Sequence, residues 1–167
     1  KWFGDMSFQF IKIIGNDNSE QLFRDLKQLI SNNFAINSIS LSLIGKLGNK
    51  NNDTDLNRYK KAFLNHLTKT LYELVKNYDG QIIELLEIER DSNGYLIYSL
   101  LKYNEKSYSI VWRVDIINNK PYVLDIIIEN SSYYVTKKSE FSNLLRQNKG
   151  SLLKLTKKLE EGNGINF

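Results

Sequence analysis

Between residues 108 and 129 the apolar and polar positions alternate with a period of two. In 108–117 one row is Ile110, Trp112, Val114 and Ile116, and the other holds Val111, Arg113 and Asp115. In 122–129 one row is Tyr122, Leu124, Ile126 and Ile128, and the other is Val123, Asp125, Ile127 and Glu129. This period sets the two rows on opposite faces of a pleated strand. Asn118, Asn119 and Lys120 are turn residues, and Pro121 suits the start of a strand. Pairing Ile117 with Pro121 sets Trp112 opposite Ile126 and Arg113 opposite Asp125. That register predicts one wholly apolar and aromatic face, with a cross-strand ion pair on the other. Two further strands are predicted at 81–90 and 95–103, separated by the turn sequences 91–94 (DSNG) and 104–107. The four strands form an antiparallel meander.

On either side the period changes to three or four. The clearest helix is 54–78, where Leu56, Tyr59, Phe63, Leu67, Leu71, Leu74, Val75 and Tyr78 form one stripe. Arg58, Lys61, Lys69, Glu73 and Lys76 occupy the other face. Asp53 or Thr54 can cap its start, and Gly80 is placed to end it. At 1.5 Å per residue it runs for about 35 Å, enough to cross a sheet. Before it, 2–15 reads as an amphipathic helix with Phe8, Ile11 and Ile14 inward. Ser19 is the expected cap of 20–31, with Leu22, Phe23, Leu26, Leu29 and Ile30 on one stripe. A short helix at 34–47 would bury Ile36, Ile39, Leu43, Ile44 and Leu47. After the strands, Thr136 is the expected cap of 137–148, with Phe141, Leu144 and Leu145 inward. Ser151 opens a last helix carrying Leu152, Leu153, Leu155 and Leu159, and the tail 162–167 is expected to be loose. Helices before and after a contiguous run of strands predict an α+β fold. It is read as one domain over 1–167: helical in 1–80, sheet in 81–130, and C-terminal helices in 136–161. This arrangement resembles the nuclear-transport-factor-2-like group, and that resemblance implies four or slightly more antiparallel strands packed on the helices as a cone around an apolar pocket.

Composition narrows the chemistry. There are no cysteines, which excludes disulfides, thiolate metal sites and cysteine nucleophiles. The net charge of +4 comes from Lys and Arg spread along the chain, with no stripe for nucleic acid. The single histidine, His66, flanks the long helix's apolar stripe, so a histidine-based zinc site is not indicated. No GxxxxGK[ST], GxGxxG or GxSxG sequence occurs. Asp125 and Glu129 share a strand face and could serve as an acid–base pair, but Arg113 is placed to neutralise Asp125.

A family resemblance sharpens this picture. In 123–161, Asp125, Glu129, Ser132, Lys138, Ser139, Phe141, Leu144 and Gly150 resemble the C-terminal signature of the MlaC/toluene-tolerance family. Trp112-Arg113 resembles that family's Trp-Arg strand. Tyr78, Gly80 and Gln81 resemble its Tyr-x-Gly-Gln, and Tyr59, Phe63 and Leu67 fit the helix before it. Phe34, Ile39 and Leu43-Ile44-Gly45-Lys46 resemble an earlier segment. The pattern differs at Leu41, at Leu47-Gly48 and at Asn130. The resemblance implies a periplasmic phospholipid-binding carrier, with any signal peptide outside this chain. It implies a bound phospholipid as cargo and no cofactor, metal or catalytic residue. The implied partners are an inner-membrane ABC transporter complex and an outer-membrane lipoprotein complex, with the carrier itself a monomer. The implied lipid-binding residues are Phe63, Leu67, Leu71, Ile110, Trp112, Val114, Leu124, Ile126, Tyr134, Phe141 and Leu145. The alternatives are an enzyme on the same scaffold, which needs His66 or Asp125 inside the pocket, and an interaction module with a solid core.

Overall fold

Hairpin chemistry and the hydrophobic pattern make conflicting demands between Ile117 and Ile126, and the chain resolves them with a bulge. A computed structural model describes residues 1–162, so the expected loose tail beyond Gly162 lies outside the described residues. The order is α1 (Trp2–Ile14), α2 (Ser19–Asn33), α3 (Ile36–Asn49), α4 (Asp53–Val75), β1 (Ile82–Asp91), β2 (Gly94–Tyr103), β3 (Lys106–Ile117), β4 (Lys120–Ile128), β5 (Ser131–Ser132), α5 (Tyr133–Gln147) and α6 (Leu152–Glu161). This is the expected α+β arrangement. The sheet is an antiparallel meander ordered β1-β2-β3-β4-β5, with the two-residue β5 added to the four expected strands.

Trp112 lies opposite Ile126 and Arg113 opposite Asp125, as the pattern predicts. The turn differs. Asn118 and Asn119 both have positive φ, the signature of a two-residue type I′ hairpin. Lys120 therefore pairs with Ile117, and Pro121 with Ile116 in place of Ile117. The register shift between Arg113 and Val114 absorbs the extra residue, Leu124. Val123 consequently faces Val114, and both are buried. The other hairpins are as tight. In the first, a side chain on Gly94 would put its Cβ 1.9 Å from the Val114 carbonyl oxygen, so only glycine fits there.

The expected Arg113–Asp125 ion pair does not form. Asp125 instead accepts from the Ser132 hydroxyl at 2.6 Å and from the Tyr134 backbone N–H at 2.8 Å. Ser132, not Thr136, caps α5, its Oγ accepting from the Val135 N–H at 2.9 Å. The cap rule holds elsewhere one residue earlier than expected: Asn18 caps α2 and Asn52 caps α4. α4 stops at Val75, short of Tyr78. In α3 the kink at Gly45 (φ 57°) leaves Leu47 exposed.

The core lies between the inner face of the sheet and the helices. Tyr59, Phe63 and Phe141 meet at ring centroid separations of 6.4 Å, with Phe141 edge-on to both others. The Tyr59 hydroxyl donates to the Ser40 carbonyl at 2.9 Å. α1 rotates away from its expected face. Phe3, Met6 and Ile14 are buried, whereas Phe8 is 71% exposed. Phe3 meets Trp112 edge-on at 5.6 Å, which brings α1 onto the sheet.

Candidate functional site

The inner face of the sheet can be read off the register. Ile83, Leu101 and Tyr108 form one row, Ser99, Ile110 and Ile128 the next, and Ile97, Trp112 and Ile126 a third. The C-terminal half of α4 presents Leu71, Leu74 and Val75, and α1 presents Phe10 and Ile14. These surfaces stop short of meeting. Between them lies a cavity of about 270 Å³, lined also by Tyr78 and Gln81. Two narrower clefts share Leu71 and Ile126 with it. One, of about 30 Å³, runs toward Phe34, Ile39, Leu67, Leu124 and Tyr133. The other, of about 50 Å³, lies under Met6, Leu29 and Ile30.

The cavity's few polar groups are tied up or sit at its edge. The Trp112 indole N–H donates to Ser99 Oγ at 2.9 Å, and that hydroxyl donates to the Ile110 carbonyl at 3.2 Å. The buried indole is thus satisfied and leaves its hydrocarbon face to the cavity. The mouth turn is stapled by Tyr78, whose hydroxyl donates to the Gln81 carbonyl at 2.9 Å, and by the Asp79 N–H, which donates to Gln81 Oε1 at 2.7 Å. Leu74 and Tyr108 line the cavity and are also exposed. The space therefore opens to solvent beside the end of α4.

Of the lining residues expected from sequence, Leu71, Ile110, Trp112 and Ile126 border the main cavity. Leu67 and Leu124 border the small cleft behind it. Tyr134 lies in a separate crevice with Ser42, Arg113 and Leu124, where its hydroxyl and that of Ser42 are 2.5 Å apart. Phe63, Val114, Phe141 and Leu145 are in the closed core and border none of these spaces. Sequence reasoning missed Phe10, Ile14, Val75, Tyr78, Ile83, Leu101 and Ile128 as cavity walls. Ile83 and Leu101 carried a signal, since alternation along their strands phases them with the Trp112 row once the hairpins are set. Phe10 carried none, because the aromatics of α1 fit two helix faces.

His66 is buried on α4 outside the cavity lining, and its Nε2 has no hydrogen-bond partner. Its pKa is pushed down to about 4, first by burial and then by the cations of Lys137 and Lys69. Lys137 is itself buried and pairs with Glu140 at 2.8 Å, 5.9 Å from the Tyr133 ring centre. Burial, and then the Glu140 charge, raise the Tyr133 pKa. Asp125 borders the small cleft with both carboxylate oxygens engaged. None of the candidate acid–base residues from the sequence, His66, Asp125 and Glu129, lines the main cavity. Among the described residues no cluster of His, Cys, Asp and Glu could hold a metal ion, and no helix is long and apolar enough to cross a membrane.

Helices folded against an antiparallel sheet, with hydrocarbon-lined space left between them, define a binding protein for an apolar guest. The model of the MlaC protein family matches residues 5–161, nearly the whole chain, and the chain belongs to that family. A similar fold occurs in a phospholipid-binding protein from Ralstonia solanacearum, solved in complex with a phospholipid. It is 18% identical, with a TM-score of 0.80 over 91% of this chain and 88% of that one. A search among curated proteins returns no significant match.

Proposed function

We propose that this protein is a phospholipid carrier that buries acyl chain in the cavity between α1, α4 and the sheet and leaves the headgroup at the mouth. The observation that carries this is the unfilled, hydrocarbon-lined space bordered by Leu71, Ile110, Trp112 and Ile126. Each buried methylene contributes about 0.8 kcal/mol, so one long acyl chain carries on the order of 10 kcal/mol of transfer free energy. A dry cavity offsets that cost while the lipid crosses water. Membership of the MlaC family supports the reading, as does the bound phospholipid of the similarly folded Ralstonia protein. The role is shuttling in the periplasm between an inner-membrane ABC transporter complex and an outer-membrane lipoprotein complex, as a monomer. The phospholipid is cargo, and the carrier performs no chemistry on it.

Native mass spectrometry of gently purified protein tests the reading. The wild type should carry phospholipid, and Leu71→Glu and Ile126→Glu should lose it while remaining folded by circular dichroism. Each places an unpaired charge where hydrocarbon must lie. A lipid-free wild type, or full retention in both variants, would count against the cavity as the lipid site.

A further inference from the structure

We propose that the free edge of β1 is a docking site for an extended segment of a partner protein in which basic and apolar residues alternate, added to the sheet as a further strand. Among the described residues β1 is the outermost strand and pairs only with β2. Its other edge therefore presents backbone N–H and C=O groups with no described strand beside them, a ready template for another chain. Long edge strands are normally blunted by charge (lysine above all), proline or a β-bulge, or covered by other elements. β1 has no lysine or proline, and Arg90 at its far end is its one cation; its bulge at Leu86 divides the edge into two short runs, 82–85 and 87–91. It also carries four exposed large apolar side chains: Ile82 (54%), Leu85 (48%), Leu86 (55%) and Ile88 (52%). A patch of this kind on one element marks an interaction surface.

The register says what kind of partner fits. Leu85 lies opposite Ser99 and Ile88 opposite Ile97, so both stand on the inner face of the sheet, outside the cavity lining. Glu84, Glu87 and Glu89 lie opposite Leu100, Tyr98 and Leu96, on the outer face. Glu84 forms an ion pair with Lys102, and Glu89 accepts from the Tyr98 hydroxyl at 2.8 Å. Glu87 lies opposite the same tyrosine, whose pKa is raised first by the hydrogen bond to Glu89 and also by the charge of Glu87. An incoming strand would meet Leu85 and Ile88 on the inner face, and Glu84, Glu87 and Glu89, with Ile82 at the start of their row, on the outer face. Apolar residues alternating with lysine or arginine satisfy both. A second copy of β1 does not, because antiparallel pairing would bring one acidic row against the other. The same acidic row disfavours an anionic bilayer.

The position gives the contact a consequence. Ile83 and Gln81, at the start of this strand, border the main cavity, as does the exposed Leu74 across the mouth. A docked strand would lie alongside the opening. The inference rests on the edge strand alone and stands or falls separately from lipid binding.

Hydrogen exchange of residues 82–91 tests it, with a ten-residue peptide of alternating lysine and valine as the probe. A glutamate–valine peptide serves as the control. The lysine–valine peptide should slow exchange in β1 saturably and the control should not. Combining Glu84→Gln, Glu87→Gln and Glu89→Gln should weaken binding about tenfold, and Ile88→Lys should abolish it. Equal protection by both peptides, protection confined to other elements, or binding unchanged in the triple variant would overturn the proposal. So would β1-dependent dimerisation in sedimentation, which would assign the edge to a second copy. Protection of β1 by anionic phospholipid vesicles without peptide would assign it to a membrane. Bound lipid, weighed in parallel by native mass spectrometry, should be the same in every variant. Its absence from the wild type as well would strike the carrier reading and leave the strand result intact.

Discussion

His66 shows how a residue's surroundings, more than its type, set its behaviour. Buried on α4 and facing the cations of Lys137 and Lys69, it stays neutral down to about pH 4 in the folded protein. In the unfolded chain it takes up a proton near pH 6.5. The unfolded state therefore binds more protons between these values, and acid favours unfolding. The stability involved is fully present above pH 6.5 and is lost as the pH falls toward 4, by on the order of 3 kcal/mol. Urea midpoints between pH 7 and pH 4.5 measure it, and His66→Phe should flatten this part of the profile. The sequence placed His66 at the edge of the helix stripe as a boundary residue, whereas the structure buries it. Its cationic neighbour Lys137 could not be anticipated, because it sits on α5, 71 positions further along. Phe8 and Phe10 make the same point differently. With aromatics at positions 2, 3, 8 and 10 of α1, periodicity alone allows more than one inward face. Contact with Trp112 selects the face carrying Phe3.

At the scale of elements, Asp125 exchanges the role its pattern suggested for another. Cross-strand spacing does bring Arg113 opposite it. Its carboxylate nevertheless serves the start of α5, where the Ser132 hydroxyl and the Tyr134 N–H both donate to it. A hydrogen bond to a charged group contributes about 1.5–3 kcal/mol. Asp125→Ala should therefore cost about 2–3 kcal/mol in urea unfolding. Arg113→Gln, by contrast, should change stability by less than about 0.5 kcal/mol, as for an exposed side chain without a partner. An equal loss from both substitutions would restore the ion pair to the centre of the argument. The strands, their order and the Trp112–Ile126 pairing were legible, because a period of two leaves few registers for an apolar face. The bulge at Leu124 was not. Asn118-Asn119 favours a two-residue hairpin, the apolar rows favour a three-residue loop, and a bulge lets the backbone satisfy both. Val123 is buried as a result, although its alternation with Leu124 assigns it to the other face.

At the scale of the whole molecule the apolar residues divide into two populations that the sequence cannot separate. Phe63, Val114, Phe141 and Leu145 close on one another, whereas Leu71, Ile110, Trp112 and Ile126 border space. Hydrophobicity and period are alike in both, because a strand or helix turns its apolar row inward whether or not the opposite row arrives. The physical difference lies in what substitution does. Phe141→Ala removes packed atoms and leaves a hole, at a cost of about 3–5 kcal/mol, and molecules that still fold should keep their lipid. Ile126→Trp adds volume where space exists, so the lipid-free protein should lose little stability or gain some. The same side chain occupies the room an acyl chain needs, and cargo should disappear from the native mass spectrum. Linkage adds a second readout. A ligand that binds only the folded state raises its stability by RT ln(1 + [L]/Kd). Stripping lipid should lower the melting temperature of wild type and of Phe141→Ala, and leave that of Ile126→Trp where it was. If stripping moves all three alike, the lipid sits somewhere other than between Leu71 and Ile126.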